Sequence, residues 1–351
     1  MKIHEKYLSR CLQIASKGLG STAPNPAVGA VLTLDDQIIG EGFTSPFGGP
    51  HAEVRAIGSV QDKSLLKSAT LYVTLEPCCH HGKTPPCTDL ILEMGIPRVV
   101  IGVQDPHRKV GGQGIARLRQ GGCEVILGVL EEACRQHHRR FITFHVKKRP
   151  YLILKWAQSA DGFMAPPREV RSNIPEPYWI TGKSARQLVH HWRSEEQGIL
   201  VGTRTALEDN PRLNTRLWAG SSPLRILIDR DLKVPEDYHI YDRAAQTLVF
   251  CRQEYLKETK DHIRYIGLTG QKPLLTEVLE GLWKMEVQSV LIEGGAQTLQ
   301  SFLENGLWDE ARVLTGKPAF NGGLTAPRLK LAPYREWNLD NDHISIFRND
   351  T

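Results

Sequence analysis

The sequence has no long apolar run, and this absence sets the first limit on what the protein can be. No stretch approaches the roughly 20 apolar residues that a helix needs to span a bilayer. The first residues, Met1 to Lys6, are not followed by the apolar segment of a secretion signal. We therefore expect a cytoplasmic protein without a membrane partner.

A strong excess of charge of one sign is also absent. Lysine and arginine total 44 against 39 aspartate and glutamate residues, which gives a formal net charge of +5. This modest basic excess suits a phosphorylated small molecule, but it is too diffuse to predict binding to nucleic acid. We expect a small-molecule substrate and no nucleic-acid partner.

The cysteines do not form an even set, because the chain has seven of them. Cys78, Cys79 and Cys87 lie close together among prolines and histidines. The other four are scattered and are predicted to be buried small apolar residues: Cys11, Cys123, Cys134 and Cys251. This distribution favours a metal site over a framework of disulfides.

Alternating helix and strand patterns predict an α/β fold with two domains. A chain of 351 residues is longer than one usual domain. The charged run from His145 to Pro150 predicts a boundary that separates domain 1–146 from domain 147–351. No fixed-period repeat links the two halves, so we expect two different domains fused in one chain. We also expect a homo-oligomer.

The spacing of apolar residues places the elements of both domains. In the first domain it predicts helices at 4–17, 51–57, 88–94, 114–120 and 131–144, and strands at 27–34, 37–43, 70–75, 98–103 and 124–129. In the second domain it predicts strands at 151–157, 198–201, 224–229, 247–251 and 289–292, and helices at 184–193 and 299–304. Four prolines between Pro166 and Pro177 predict an irregular loop.

The segment His51-Ala52-Glu53, with Pro77-Cys78 and Cys87 further along, carries the most chemistry. A catalytic zinc needs three protein ligands and an open position for water, and one histidine with two thiolates meets that count. Zinc lowers the pKa of its water towards neutrality, which permits attack on an amidine-like carbon. Glu53, two residues from His51, is predicted to carry the proton from the water to the departing amine.

This segment departs from the short signature of zinc nucleobase deaminases, which is His-x-Glu with Pro-Cys-x-x-Cys. Here Cys79, His80 and a longer insertion separate Cys78 from Cys87, so Cys79 and His80 are rival ligands. We favour Cys78 because it follows the proline. Three alternatives remain open: a structural zinc knuckle with four ligands, a zinc-stabilised binding module without turnover, and a deaminase with a non-catalytic second domain.

At these residues the chain resembles the bifunctional deaminase and reductase family of riboflavin biosynthesis. The resemblance covers nearly the whole chain and rests on Pro24-Asn25-Pro26, on the run from His51 to Ala56, and on Thr74 through Cys87 with its insertion. It implies a cytidine-deaminase-like α/β/α domain that deaminates 2,5-diamino-6-ribosylamino-4(3H)-pyrimidinone 5′-phosphate. The substrate contacts that it implies are Asn25, His80, Lys83, Thr84 and Asp105.

The second half has one suggestive feature of its own, a strand pattern from Ser289 to Glu293 that opens into Gly294-Gly295 and a helix. A glycine turn before a helix N-terminus suits a phosphate, although a tight structural turn has the same pattern. The resemblance implies a dihydrofolate-reductase-like α/β domain here, which uses NADPH to reduce the ribosyl chain to a ribityl chain. The motifs behind it include Ser159 with Asp161-Gly162, and Asp209-Asn210-Pro211.

The same resemblance implies the residues of the reductase site. Its cofactor contacts are Gln158, Trp179, Thr205, Asp209, Gly295, Ala296, Gln297, Thr298, Leu299, Gln300 and Ser301. Its substrate contacts are Arg193, Leu213, Arg216 and Glu293, with Lys155 and Glu293 as candidates for proton handling. The sequence departs from the family at Pro177, where a small polar residue is usual, so one hydroxyl contact to substrate is lost.

Overall fold

The computed structural model describes residues 2–80, 85–106 and 111–349. It divides the chain into two compact units, with the division between Lys148 and Arg149. Each unit carries one main sheet with helices, so the predicted α/β fold class is confirmed. In the part of the chain that the structure describes, no helix combines the length and the apolar character needed to cross a bilayer.

The first unit is built on a five-stranded sheet. Its strands are β1 (Gly29–Leu34), β2 (Gln37–Phe43), β3 (Thr70–Leu75), β4 (Arg98–Val103) and β5 (Glu124–Leu127). Its helices are α1 (Lys2–Ala15), α2 (Ala52–Ser59), α3 (Cys87–Glu93), α4 (Gln113–Gln120), α5 (Glu131–His137) and α6 (Arg139–Lys147). The strand order is β2-β1-β3-β4-β5. β1 runs antiparallel to both neighbours, whereas β3, β4 and β5 are parallel.

Helices cover both faces of this sheet, which is why its central strands are apolar runs rather than alternating patterns. Nearly every residue of β1, β3 and β4 is buried. Helix α1 adds Tyr7, Leu8 and Cys11 to the same core. The predicted hairpin of β1 and β2 is confirmed, and so are the strands at 70–75 and 98–103.

The single helix predicted at 131–144 is wrong, because two helices meet at His138. No proline or glycine marks this break in the sequence. The His138 ring is almost completely buried, and its Nε2 lies 3.0 Å from the Thr74 hydroxyl on β3. The interruption lets this polar side chain reach a hydrogen-bond partner in the core, which an apolar-spacing argument does not anticipate.

The second unit is built on a nine-stranded sheet with the order β11-β10-β9-β8-β12-β6-β13-β16-β15. Its strands are β6 (Tyr151–Gln158), β8 (Gly198–Gly202), β9 (Leu224–Ile228), β10 (Thr247–Arg252), β11 (Ile263–Leu268), β12 (Ser289–Gly294), β13 (Glu310–Thr315), β15 (Arg335–Leu339) and β16 (Asp342–Arg348). A separate pair joins β7 (Phe163–Ala165) to β14 (Leu324–Thr325). The helices are α7 (Lys183–Glu195), α8 (Thr203–Asp209), α9 (Leu274–Lys284) and α10 (Ala296–Glu304).

Every strand and helix predicted for the second domain is present, with shifted ends. The prediction missed the helices α8 and α9 and the strands β7, β11, β13, β14, β15 and β16. Residues 166–177 are irregular as predicted, apart from one short 3-10 turn at Arg168–Val170. From β11 to β13 all neighbouring strands are parallel, so their carboxyl ends share one edge of the sheet. This edge is where α/β folds usually bind ligands.

Candidate active sites

The three predicted zinc ligands of the first unit converge from three elements. His51 immediately precedes α2, Cys78 lies in the loop after β3, and Cys87 is the first residue of α3. The Sγ atoms of Cys78 and Cys87 lie 3.6 Å and 3.4 Å from His51 Nδ1. All three candidate ligand atoms lie within 4.8 Å of one another.

These separations fit tetrahedral zinc. Zn–S and Zn–N bonds of ordinary length at a tetrahedral angle place sulfur and nitrogen about 3.5 Å apart, close to both observed distances. Within the described residues, this group contains no fourth histidine, cysteine or carboxylate. The rival Cys79 directs its thiol towards Gln113 Oε1, at 3.9 Å, and His80 is exposed. Three protein ligands leave a position for water, whereas a structural zinc usually has four.

Local hydrogen bonds favour the thiolate form of Cys78, whereas the neighbouring Cys78 and burial raise the pKa of the Cys87 thiol. The backbone N–H of Cys87 donates to Cys78 Sγ at 3.4 Å. Hydrogen bonds from Cys87 and His51 lower the pKa of the Cys78 thiol to about 4, although burial opposes the shift. Thiolates are the form of cysteine that binds zinc.

Glu53 lies in the first turn of α2, beside the three ligands, and is almost completely buried. Burial raises the pKa of its carboxyl to about 7, and the nearby Cys78 adds to the increase. Its carboxyl group also hydrogen-bonds to Cys87. A buried carboxyl group at this place can accept and release a proton close to a reacting molecule.

The predicted substrate residues of the first unit are placed less uniformly. Asn25 is partly buried in the turn before β1, where its N–H donates to the Thr22 carbonyl. Asp105 is partly buried after β4, at the same edge of the sheet as Cys78. Lys83 and Thr84 lie outside the described residues.

In the second unit, Arg193 and Glu293 form a bidentate ion pair between α7 and β12. Arg193 Nε and Nη2 donate to the two carboxylate oxygens at 2.7 and 2.8 Å. Lys155 Nζ on β6 lies 3.5 Å from Glu293 Oε2. These are three of the predicted reductase residues, and residues far apart in the sequence meet here at adjacent strands.

The charges in this cluster keep the Glu293 carboxyl group ionised. Burial opposes its ionisation, but Arg193 and Lys155 outweigh that effect and lower the pKa of Glu293 to about 2. Both oxygens are also held by the arginine fork. This geometry does not favour the proton-handling role predicted for Glu293. Burial lowers the pKa of Lys155, so this amine is the better proton donor of the pair.

His190, one turn before Arg193 on α7, is a site residue that the sequence prediction missed. Its Nδ1 accepts the backbone N–H of Arg216 at 3.1 Å. Burial and then Arg193 lower its pKa to about 4, so the imidazole is neutral at neutral pH. Arg193 Nη1 also donates to the Asn214 carbonyl at 3.1 Å. Helix α7 therefore holds segment 214–216 at two points.

The other two predicted substrate residues differ in exposure. The guanidinium group of Arg216 donates to Asn214 Oδ1 at 3.1 Å, and the residue is exposed. Leu213 is buried in a hydrophobic cluster with Val201 and Leu227. Its side chain is core packing in this structure, so the substrate contact predicted at Leu213 would have to use its backbone.

A cavity of about 740 Å³ lies beside this cluster, and Glu293 is part of its wall. Seven of the predicted cofactor residues line it: Thr205, Asp209, Gly295, Ala296, Gln297, Thr298 and Ser301. The junction between β8 and α8 also contributes to the wall, through Gly202, Thr203 and Arg204, which the sequence analysis did not predict as cofactor contacts. The available signal was a second glycine at the end of a strand that leads into a helix. The volume suits a dinucleotide-sized ligand.

A close contact between the glycine turn and α8 shapes one side of this cavity. A Cβ atom on Gly295 would lie 2.7 Å from Thr205 Oγ1, so a larger residue there would require the Thr205 side chain to move. Burial, together with the neighbouring Glu208, raises the pKa of Asp209 to about 6. Helix α10 begins directly after Gly295, which directs its first backbone N–H groups towards the cavity.

Four predicted cofactor residues do not line the cavity. Leu299 is fully buried in the core, because the apolar face of α10 packs on the sheet. Gln300 is exposed and donates to Glu304 at 2.9 Å. Trp179 is exposed with the Arg186 guanidinium 4.6 Å above its ring, and Gln158 donates to the Thr315 hydroxyl at 3.3 Å. Of the range from Gly295 to Ser301 that the resemblance implies, Leu299 and Gln300 are thus the residues outside the cavity wall.

Comparison with known families agrees with this division of the chain. Residues 1–103 match the cytidine and deoxycytidylate deaminase zinc-binding region. Residues 150–349 match the RibD C-terminal domain. The second match covers most of the second unit, so the alternative of a deaminase with a non-catalytic second domain is not supported.

Similar proteins match over both units. The riboflavin biosynthesis protein RibD of Aquifex aeolicus is 38% identical, over 95% of this chain and 93% of the relative. The Escherichia coli RibD is 35% identical, over 88% and 86%. A Thermotoga maritima structure, a diaminohydroxyphosphoribosylaminopyrimidine deaminase and 5-amino-6-(5-phosphoribosylamino)uracil reductase, is 38% identical with a TM-score of 0.87 and covers 99% of both chains. The chain belongs to the RibD family of riboflavin biosynthesis proteins and carries a deaminase domain followed by a reductase domain.

Proposed function

We propose that this bifunctional enzyme first deaminates 2,5-diamino-6-ribosylamino-4(3H)-pyrimidinone 5′-phosphate and then reduces the ribosyl chain of the product to a ribityl chain. The observation that carries the proposal is the three-ligand group of His51, Cys78 and Cys87 with buried Glu53 beside it. The two activities of the Thermotoga relative, a diaminohydroxyphosphoribosylaminopyrimidine deaminase and a 5-amino-6-(5-phosphoribosylamino)uracil reductase, support the choice of substrates.

In the deaminase domain, His51, Cys78 and Cys87 would hold a zinc ion. Zinc held there would supply a water molecule acidic enough to attack an amidine carbon near neutral pH. The role of Glu53 would be to accept a proton from the attacking water and to deliver it to the departing amine nitrogen. The buried position of its carboxyl group, in contact with Cys87, excludes bulk water from this transfer.

Five residues are proposed to bind the deaminase substrate: Asn25, His80, Lys83, Thr84 and Asp105. The chemistry of these side chains suits a pyrimidine with a ribose phosphate, because lysine pairs with phosphate while asparagine and aspartate bond to ring amides. Asn25 and Asp105 are both partly buried, which leaves part of each residue accessible to a ligand.

In the reductase domain, the cavity beside Glu293 would hold NADPH, through the turn at 295–298, Ser301, Thr205 and Asp209. When bound there, NADPH would supply a hydride for the C1 carbon of the opened ribose. Lys155 donates the accompanying proton, since burial lowers the pKa of its amine. Ionised Glu293 anchors Lys155 and Arg193, and Arg193 and Arg216 bind the substrate phosphate.

Three broader features complete the proposal. Residues 1–146 carry the deaminase activity and residues 147–351 carry the reductase activity. The enzyme acts in the cytoplasm, where the free thiols of all seven cysteines stay reduced. It works as a homo-oligomer.

The proposal is tested with the purified full chain and the diaminopyrimidinone ribosyl phosphate, with and without NADPH. Ammonia release and NADPH absorbance are followed separately. We expect ammonia release without NADPH that a chelator stops and zinc restores, and NADPH oxidation only after deamination. Ammonia release that survives complete removal of zinc would contradict the deaminase mechanism. Deamination without any NADPH oxidation would contradict the second step.

A further inference from the structure

Glu76 is a buried carboxylate that the proposed mechanism does not use. It lies between the end of β3 and the zinc ligand Cys78, with Pro77 in between, and only 5% of its surface is exposed. Buried carboxylates need strong partners, and among the described residues Glu76 accepts hydrogen bonds from three backbone N–H groups.

Three backbone N–H groups from one distant segment donate to this single carboxylate. The N–H groups of Asp105 and Gly112 donate to Oε2 at 3.1 and 2.9 Å. The N–H of Ile115, in the first turn of α4, donates to Oε1 at 3.1 Å. First-turn N–H groups of a helix have no partner within the helix. Glu76 therefore caps α4 from outside and at the same time fixes the backbone of Asp105.

Further contacts hold segment 76–78 against β4 and α4 on one side and against α3 on the other. The Glu76 N–H donates to the Val103 carbonyl at 2.9 Å, which fastens the segment to the end of β4. A Cβ atom on Gly114 would lie 2.2 Å from the Pro77 carbonyl oxygen, so α4 rests directly on the segment before Cys78. On the other side, the Thr88 N–H and hydroxyl both donate to the Cys78 carbonyl at 3.2 Å.

We propose that Glu76 is a positioning residue of the deaminase, which sets Asp105 at a fixed place relative to the zinc ligand Cys78. One short segment, 76–78, holds the metal ligand at one end and the Asp105 backbone through the carboxylate at the other. The inference rests on the proposed function, because it requires Asp105 to contact the substrate. Glu76 itself touches neither substrate nor metal.

The test uses Glu76→Gln and Glu76→Asp in the zinc-loaded full chain. An amide in place of the carboxylate presents an NH₂ group to one of three N–H donors, so at least one donor loses its acceptor. We expect Glu76→Gln to raise the KM for deamination about tenfold, the effect of one lost buried hydrogen bond, with kcat and zinc content little changed. Glu76→Asp keeps the charge and is expected to recover part of the affinity.

Asp105→Asn and the double variant test whether Glu76 acts through Asp105. We expect Asp105→Asn to raise KM as well, and the double variant to be no worse than the more affected single one. NADPH oxidation with pre-deaminated substrate reports that the reductase domain is folded, and the zinc content reports on the deaminase domain. Glu124→Gln, at an exposed carboxylate on β5, is the matched control and should change nothing.

Three results would overturn the inference, and they differ from a failure of the proposed function. Loss of zinc in Glu76→Gln, or a fall in kcat at constant KM, would make Glu76 a support of the metal site instead. Multiplying effects in the double variant would show that the two residues act independently. An unchanged KM in Asp105→Asn would remove the substrate role of Asp105 and this inference with it, whereas no ammonia release by the unaltered chain would refute the deaminase proposal itself.

Discussion

The two domains each bury one glutamate at the candidate active site, and the two carboxyl groups have opposite proton affinities. Burial raises the pKa of Glu53 to about 7, and no arginine or lysine among the described residues offsets this increase. Glu293 is equally enclosed, but Arg193 and Lys155 hold its pKa at about 2. Burial by itself therefore does not give a carboxyl group its role. The neighbouring cations decide whether it exchanges protons or anchors other charges.

The comparison predicts the largest effect on activity for Glu53→Gln. Glutamine keeps the shape of the side chain but cannot carry a proton, so the kcat for deamination should fall by about 10²- to 10⁴-fold. Ammonia release measures the loss, and zinc content should not change. NADPH oxidation with pre-deaminated substrate is the control within the same chain, because the reductase cluster does not include Glu53. Undiminished ammonia release would refute the role of Glu53.

The second prediction concerns stability, where Glu293→Gln should have the larger effect of the two substitutions. Removing the negative charge leaves Arg193 and Lys155 as buried cations without a counter-charge, a loss of about 3–5 kcal/mol in the free energy of unfolding. Thermal unfolding measures it, with Glu53→Gln as the matched control, since a neutral amide there leaves no cation unpaired. If both variants melt at the same temperature, the contrast between the two carboxylates is not real.

Lys155→Met separates proton donation from anchoring in the reductase site. Methionine fills a similar buried volume but carries no proton, and the Arg193 fork still holds Glu293. We expect the reductase kcat to fall by about 10²-fold, with the melting temperature nearly unchanged. Lys183→Met, at an exposed lysine at the start of α7, is the control. A reductase rate equal to that of the control would assign the proton transfer to another group.

The smallest effect is expected at His190 and depends on pH. Its pKa is about 4 in the folded chain, below the ordinary value of 6.5, so the unfolded chain binds a proton first as the pH falls. The folded state therefore loses stability between pH 6.5 and pH 4, by on the order of 2 kcal/mol. His190→Asn can still accept the Arg216 N–H through its amide oxygen, but it does not titrate.

Melting curves across this pH range test the prediction. We expect the acid-dependent loss of stability to be smaller in His190→Asn than in the unaltered chain. His191→Asn is the matched control, because His191 is the next residue on the same helix and is more exposed. Equal pH slopes in all three proteins would mean that His190 does not lose its proton on folding.

Sequence patterns predicted the features that are local or that repeat along the chain. The candidate zinc ligands and nearby Glu53 stand in short segments, and the apolar runs located all five strands of the first domain. Sequence patterns failed where a residue has its partner far away. At the helix break, the His138 ring bonds to Thr74 on a distant strand. Leu299 lies in the core and not in the cavity wall because of how α10 packs. The spacing of apolar residues carries no information about either contact.

The sequence by itself determined the two-domain α/β class, the family and the residue types that can hold zinc. Those properties follow from patterns that are read along the chain. Only the tertiary structure decided the charge of each buried group, because proton affinity depends on neighbours in space. Arg193 and Glu293 are one hundred positions apart in the sequence, yet two nitrogens of Arg193 donate to the two carboxylate oxygens of Glu293 at 2.7 and 2.8 Å. The same holds for Glu76, whose carboxylate meets the N–H groups of Asp105, Gly112 and Ile115 only in the folded chain.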